Sequence, residues 1–250
     1  MTTGKWDVAN DPQPVTINGK GDGSNRGSTW PAFGDALSEL TGVPVGIVSV
    51  GWSGSSVQQW NPDNVDTSAE GWDTIGYTPG NSTLYGRLAL AIQELDGDFT
   101  GVLWHQGESN RGDTNYASKL ESLIEASWQF ANENFDTDRF PWMVALVSAN
   151  GNEQLDDVVR EQQLMVINNY DEVFQGPDSD LLLGDYRGLG GNHIHFSELG
   201  LLTLGQMWAL QYANDVMGIP EPSTWALLLI GVGILFGFRE RKRHFHKNLA

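Results

Sequence analysis

The chain has 250 residues, 40% of them hydrophobic and 10% aromatic, which is enough to bury a core in one large domain and too apolar for a disordered chain. Its formal net charge of −18 argues against nucleic acid as a partner, because phosphate binding needs a basic face. It has no cysteine, so disulfides, thiolate metal sites and cysteine nucleophiles are excluded.

The first residues, Met1 to Gln13, contain no apolar core of a secretory signal. Val15-Thr16-Ile17 is too short for a buried strand and runs into Asn18-Gly19-Lys20-Gly21. The first helix is expected over Ala32–Leu40, with Pro31 in its first turn. Val43–Val50 is apolar, β-branched and bounded by Gly42 and Gly51, so it reads as a buried strand. Residues 61–80 are polar and marked by Gly and Pro, and read as a surface excursion at the rim of a site. Leu84, Leu88, Ile92 and Leu95 step at helical spacing, and Phe99–His105 reads as a second strand. Tyr116, Leu120, Leu123, Ile124 and Ala131 predict another helix, followed by a strand over Phe140–Ser148. Leu155, Val158, Val159 and Met165 predict a fourth helix, Asp180–Gly184 a fourth strand, and Leu199–Tyr212 the last helix.

Strands separated by helices of this length imply a parallel sheet with helices on both faces. In such sheets the ligand site lies beyond the carboxyl ends of the strands. That rule collects Gly51–Ser56, Gln106–Asn110, Ser148–Asn152 and Asp185–His195 along one edge.

Three of these loops hold candidate chemistry. Gly51-Trp52-Ser53-Gly54-Ser55-Ser56 follows a strand, and its glycines allow backbone N–H groups to approach a ligand. It reads as an oxyanion hole, as a weak nucleophile elbow centred on Ser53, or as an ordinary Gly/Ser turn. In Trp104-His105-Gln106-Gly107-Glu108-Ser109-Asn110, the Gln106 amide can donate to a developing oxyanion and Glu108 can orient neighbours. His105 is expected to point back into the fold and be satisfied there. The third loop, Asp185-Tyr186-Arg187 and then Gly190 to Ser197, carries His193 and His195, the usual type of general base near neutral pH. Two histidines at this spacing also suit a metal, but no third ligand accompanies them, so no metal or other cofactor is expected. Ser197 reads as the cap of the last helix, with Glu198 in its first turn. Trp52, Trp60, Trp72 and Trp104 are able to stack on a sugar ring or to pack in the core.

The end of the chain has a different character. Trp225–Phe238 carries no charge, Pro220-Glu221-Pro222 precedes it, and Arg239-Glu240-Arg241-Lys242-Arg243 follows it. A transmembrane helix over 224–238 with a cytoplasmic basic flank fits this order, although it is shorter than the ~20 residues usual for a spanning helix. The segment 220–243 resembles the PEP-CTERM sorting signal of bacterial surface proteins. The resemblance implies export, at least transient membrane anchoring, and cleavage by an exosortase-type enzyme. Residues 1–219 would form the domain and residues 244–250 the basic tail.

The segments 27–37 (GSTWPAFGDAL), 43–60 (VPVGIVSVGWSGSSVQQW), 103–110 (LWHQGESN), 159–163 (VREQQ) and 186–201 (YRGLGGNHIHFSELGL) resemble the sialate O-acetylesterase and carbohydrate acetylesterase branch of the SGNH hydrolases. The resemblance implies a flavodoxin-like, three-layer α/β/α fold and metal-free removal of O-acetyl groups from a carbohydrate by a Ser-His-Asp mechanism. Carried over by position, Gly54 and Gln106 donate to the oxyanion and His195 is the general base. Two departures stand out. The family's G-Q-S-N nucleophile motif is represented only by Gly23-Ser24-Asn25, with no apolar strand before it, so the nucleophile block and first strand are expected to be missing from this sequence. The family's D-x-x-H reads Asn192-His193-Ile194-His195, which removes the charge that stabilises an imidazolium; Asp185 is the candidate replacement. The expectation is an exported acetylesterase domain with little activity as given. Two alternatives are an α/β-hydrolase-like esterase using Ser53 and a non-catalytic carbohydrate-binding relic.

Overall fold

A computed structural model describes residues 6, 8–11, 27–62, 84–188 and 193–220. The helices are α1 (Trp30–Thr41), α2 (Tyr85–Glu94), α3 (Tyr116–Phe135), α4 (Asp157–Asn169) and α5 (Glu198–Gln211), the last continued by a π-helical turn over Tyr212–Val216. The strands are β1 (Val102–Trp104), β2 (Trp142–Leu146) and β3 (Val173–Asp178). They form one parallel sheet in the order β1-β2-β3, with Val102 opposite Trp142 and Trp142 opposite Val173.

The central strand shows why the domain has layers. All five residues of β2 are buried, and the first four alternate between two cores. Trp142 and Val144 pack with Leu88, Ile92, Leu120, Ile124, Val159 and Val166, the inner faces of α2, α3 and α4. Met143 and Ala145 pack with Phe33, Leu37, Leu204 and Trp208, the inner faces of α1 and α5. The expected α/β arrangement, a parallel sheet covered on both faces, is therefore what the chain adopts. All five helices lie where the apolar spacing places them. Pro31 stands in the first turn of α1, and Ser197 caps α5 by accepting from Gly200 N at 3.2 Å.

Two expected strands are not strands. Val43–Val50 does send Val45 and Ile47 to the α1 and α5 layer and Val50 to the other, but it joins no ladder among the described residues. Apolar β-branched residues supply the side-chain pattern of a strand; the ladder itself needs a neighbour to bond to. Asp180–Gly184 forms 3-10 turns instead, because Asp178 accepts from Asp180 N at 3.2 Å and folds the chain over. The third strand lies just before it, in Val173–Asp178, where Gly176-Pro177 hides the pattern. Pro177 is tolerated because β3 is an edge strand.

No helix among the described residues is long and apolar enough to cross a membrane. The expected membrane helix over 224–238, most of the rim segment 61–80, Trp72, Ser24 and Asn192 lie outside the described residues.

Candidate active site

Four loops meet beyond the carboxyl ends of the strands, and hydrogen bonds join each to the next. Between the loop 51–60 and the loop after β1, the joint is Asn110, which is 3% exposed. Its Oδ1 accepts from Val57 N at 2.9 Å and from Gln106 Nε2 at 2.8 Å. Its Nδ2 donates to Gln58 Oε1 at 2.7 Å and Asp113 Oδ2 at 2.9 Å. Ser109 Oγ adds a bond to Gly54 O at 3.2 Å. Gly107 lets this loop lie on the end of β2: a Cβ there would come within 1.8 Å of Val147 O.

Gln106 is buried just beyond the end of β1, and its amide is turned inward. Both hydrogens are engaged, one to Ser55 O at 3.1 Å and one to Asn110 Oδ1 at 2.8 Å. The buried Oε1 has no partner among the described residues. A reversed amide would set oxygen against oxygen at both contacts, so the orientation follows from the network. In this arrangement both amide hydrogens of Gln106 are bonded within the protein and its Oε1 is shielded from solvent. Ser53 and Gly54 are exposed, and Gly54 holds φ +69, a left-handed conformation suited to glycine. Trp60 and Trp104 are core residues rather than a sugar platform. Trp52 is half-buried, with the Arg87 guanidinium 5.1 Å from its ring centroid.

Arg111 joins the loop after β1 to the loop after β2, donating to the carbonyls of Ser148, Gln154 (2.7 Å) and Leu155 (3.2 Å). Beneath that loop lies Asp180, 2% exposed. Its carboxylate accepts from Ser148 Oγ at 2.6 Å, from the backbone of Ser148 and Ala149 at 2.9 Å each, and from Arg160 at 2.6 Å. Burial works against the charged form, but these bonds outweigh it and hold the carboxyl below its ordinary range.

The last loop is pinned by Arg187, a guanidinium only 2% exposed. It donates to Leu182 O (2.6 Å), Ser179 O (3.0 Å) and Ile194 O (2.9 Å), and lies 4.0 Å over the Phe196 ring. Burial lowers its pKa, while the charges of Glu108, Asp180 and Glu153 oppose that shift. A bridge between Arg187 and Phe196 and a bond from Gly188 N to His195 O (2.7 Å) close the loop.

The histidines are placed unequally. The His195 side chain is exposed and has no hydrogen-bond or ion-pair partner among the described residues. Asp185 is exposed as well, accepts from Ser197 Oγ only through its backbone carbonyl (2.8 Å), and is not paired with His195. His193 Nδ1 is shielded and lies 3.7 Å from Glu153 Oε1. His105 is half-buried, and its shielded Nε2 is not satisfied as expected: it has no hydrogen-bond partner among the described residues. Burial is the main cause that lowers its pKa, against the pull of Glu108, so His105 is neutral near pH 7. Half-buried Glu108 thus acts on both His105 and Arg187. No group of three or more His, Asp or Glu side chains among the described residues is placed to hold a metal ion.

The site therefore combines an exposed Gly-containing turn, a buried amide, and a loop with two histidines, of which His193 lies beside the Glu153 carboxylate. Sequence reasoning missed Glu153 and Asp180, and placed Asn110 and Arg187 in its candidate loops without giving them a role. Arg187 and Asn110 had a signal, since a buried polar residue in a loop is most often there to bond backbone; Glu153 had none.

A family model described as carbohydrate esterase, sialic acid-specific acetylesterase matches residues 1–214, and a PEP-CTERM protein-sorting motif matches residues 218–242. A solved structure of a protein from Arabidopsis thaliana is similar with a TM-score of 0.58 and 20% identity, over 85% of this chain and 78% of that one. A carbohydrate acetylesterase from Xanthomonas citri is similar with a TM-score of 0.50 and 22% identity, over 75% of this chain and 40% of that one. At these identities the likeness is one of fold. No protein of curated function matches the chain.

Proposed function

We propose that this chain, which belongs to the carbohydrate esterase family of sialic acid-specific acetylesterases, is the O-acetylesterase domain of an exported surface protein. Its substrate is an acetylated carbohydrate, its mechanism that of a serine hydrolase without a metal. The observation that carries this reading is the convergence of the family's loops on one sheet edge, joined through Asn110, Arg111 and Arg187. In this reading Gly54 supplies a backbone N–H to the oxyanion, beside Ser53. Gln106 and Glu108 line the floor, and the loop of Asp185, Asn192 and His195 handles the proton.

A serine hydrolase also needs a hydroxyl activated by a base. Among the described residues no serine hydroxyl is hydrogen-bonded to a histidine. We therefore expect little activity from the sequence as given. The test is acetate release from O-acetylated sialic acid and acetylated neutral sugars by the purified full chain. Background release supports that expectation. Turnover abolished by His195→Ala overturns it, and turnover also abolished by Ser53→Ala assigns the nucleophile to Ser53. Sugar binding by calorimetry without turnover favours the binding-relic alternative.

The PEP-CTERM motif implies export and surface sorting. We extend this to anchoring through residues 224–238, with exosortase-type processing near Pro220-Glu221-Pro222.

A further inference from the structure

We infer, on the reading of residues 224–238 as a membrane anchor, that the outer face of α5 lies on a lipid surface of zwitterionic headgroups. α5 is apolar nearly all round, the mark of a helix covered on both sides. Its inner residues Leu204, Trp208 and Ala209 are buried in the core shared with α1 and the sheet. On the other side Leu199, Leu202 and Leu210, with Met217 just beyond the π-helical turn, are 39–50% exposed. With exposed Gln206, the three leucines follow spacings of three and four, so they form one stripe along the helix.

Single exposed apolar residues need no explanation, but a continuous stripe marks a contact surface. Charge selects this stripe from the others. Residues 199–214 contain no charged side chain, in a chain of net charge −18. α4 also exposes Val158, Leu164 and Met165, but exposed Asp157 and Glu161 stand among them. The charges that border the α5 face are all acidic: Glu198 and Asp215 at its ends, and Asp35 and Glu39 on the exposed side of α1. Such a face gains nothing from anionic headgroups. Its attraction is the apolar stripe itself, set into the boundary between headgroups and acyl chains.

The position of the tail says why lipid is the occupant. The PEP-CTERM match begins at residue 218, directly after Met217, where the face ends. Trp225, the start of the uncharged segment, is then within ~30 Å of chain, while α5 itself is ~21 Å long. A tail held in the bilayer therefore keeps the face at high local concentration against the same surface, so a modest apolar contact suffices. A helix lying flat has both ends at the surface. The loop of His195, which ends at the Ser197 cap, then sits at headgroup level.

The chain has no cysteine, so single introduced cysteines report without background. Leu202→Cys and Leu210→Cys carry an environment-sensitive NBD label in the full chain, reconstituted in phosphatidylcholine vesicles. Asn132→Cys, on the exposed side of α3 and so across the sheet, is the control. Labels at 202 and 210 are expected to shift to the blue. Nitroxide lipids should quench them, and more strongly from shallow than from deep positions, since such a face enters only ~5–10 Å. The label at 132 should do neither. Added salt should leave the shift in place, and added phosphatidylglycerol should weaken it. Flotation separates the two ways to fail. A chain that floats with unshifted labels at 202 and 210 overturns the docking and leaves the anchor standing. A chain that does not float overturns both. A shift that grows with protein density in the vesicles assigns the face to a second copy and overturns lipid as its occupant. A shift strengthened by phosphatidylglycerol overturns the zwitterionic assignment.

Discussion

Asn110 Oδ1 accepts from Gln106 Nε2 at 2.8 Å, and this bond fixes the orientation of the Gln106 amide. The orientation of Asn110 is itself set by Val57 N–H, so the two amides form a relay from one loop to the next. Removing Asn110 leaves buried partners on both sides without a bond, and each such group costs about 1–3 kcal/mol. Asn110→Ala should therefore destabilise the domain by about 2–4 kcal/mol, measured by urea unfolding. A change under about 0.5 kcal/mol would mean that water replaces the relay.

Arg187 should not tolerate lysine. Its planar fork reaches three carbonyls in three directions, Leu182, Ser179 and Ile194, and a single ammonium cannot reproduce that geometry. Arg187→Lys is expected to cost about 2–4 kcal/mol. It should also speed hydrogen exchange at Gly188 N–H, whose bond to His195 O closes the loop. Unchanged exchange at Gly188 would separate Arg187 from the histidine loop.

Asp180 makes stability depend on pH in a definite direction. Its folded pKa lies below the ordinary value of 3.8, despite the opposing effect of burial. A depressed carboxylate stabilises the fold above the unfolded pKa and loses that contribution as pH falls through the folded value. Asp113 and Asp156 shift the same way. Asp180→Asn should be less stable at neutral pH and should lose less stability between about pH 5 and pH 2, as read by acid unfolding. Parallel curves for the variant and the wild type would remove Asp180 from the acid limb.

Residues 220–243 should control where the domain resides. In a bacterial host with an exosortase, the full chain is expected in the membrane fraction or as a processed surface form. Deleting these residues should leave the domain out of that fraction, as followed by fractionation and immunoblotting. An identical distribution of the two chains would rule out anchoring by this segment.

Much of the fold was legible because its signals are local. The five helices follow from apolar spacing along one face, and β2 from a continuous apolar run. Val43–Val50 carries the same local signal, yet it is no strand, because a ladder depends on what lies alongside. The candidate site divides in the same way. Its loops were legible, since glycines, histidines and amides stand directly after strand-like runs. The sequence cannot express that Gln106 turns its hydrogens inward, because that follows from Asn110 and Ser55. Nor can it express that Glu153, far along the chain, stands beside His193.

By itself, then, the sequence determined the family, the alternation of helix and strand, the acidic body and the sorting tail. These depend on residue order and on periods of a few residues. Only the tertiary structure decided which carboxylate meets which imidazole, which amide atom is free, and which apolar run finds a strand partner. Each of these depends on the relative placement of chain segments that are remote in sequence, and hydrogen bonds form only when both partners arrive at the right distance and angle.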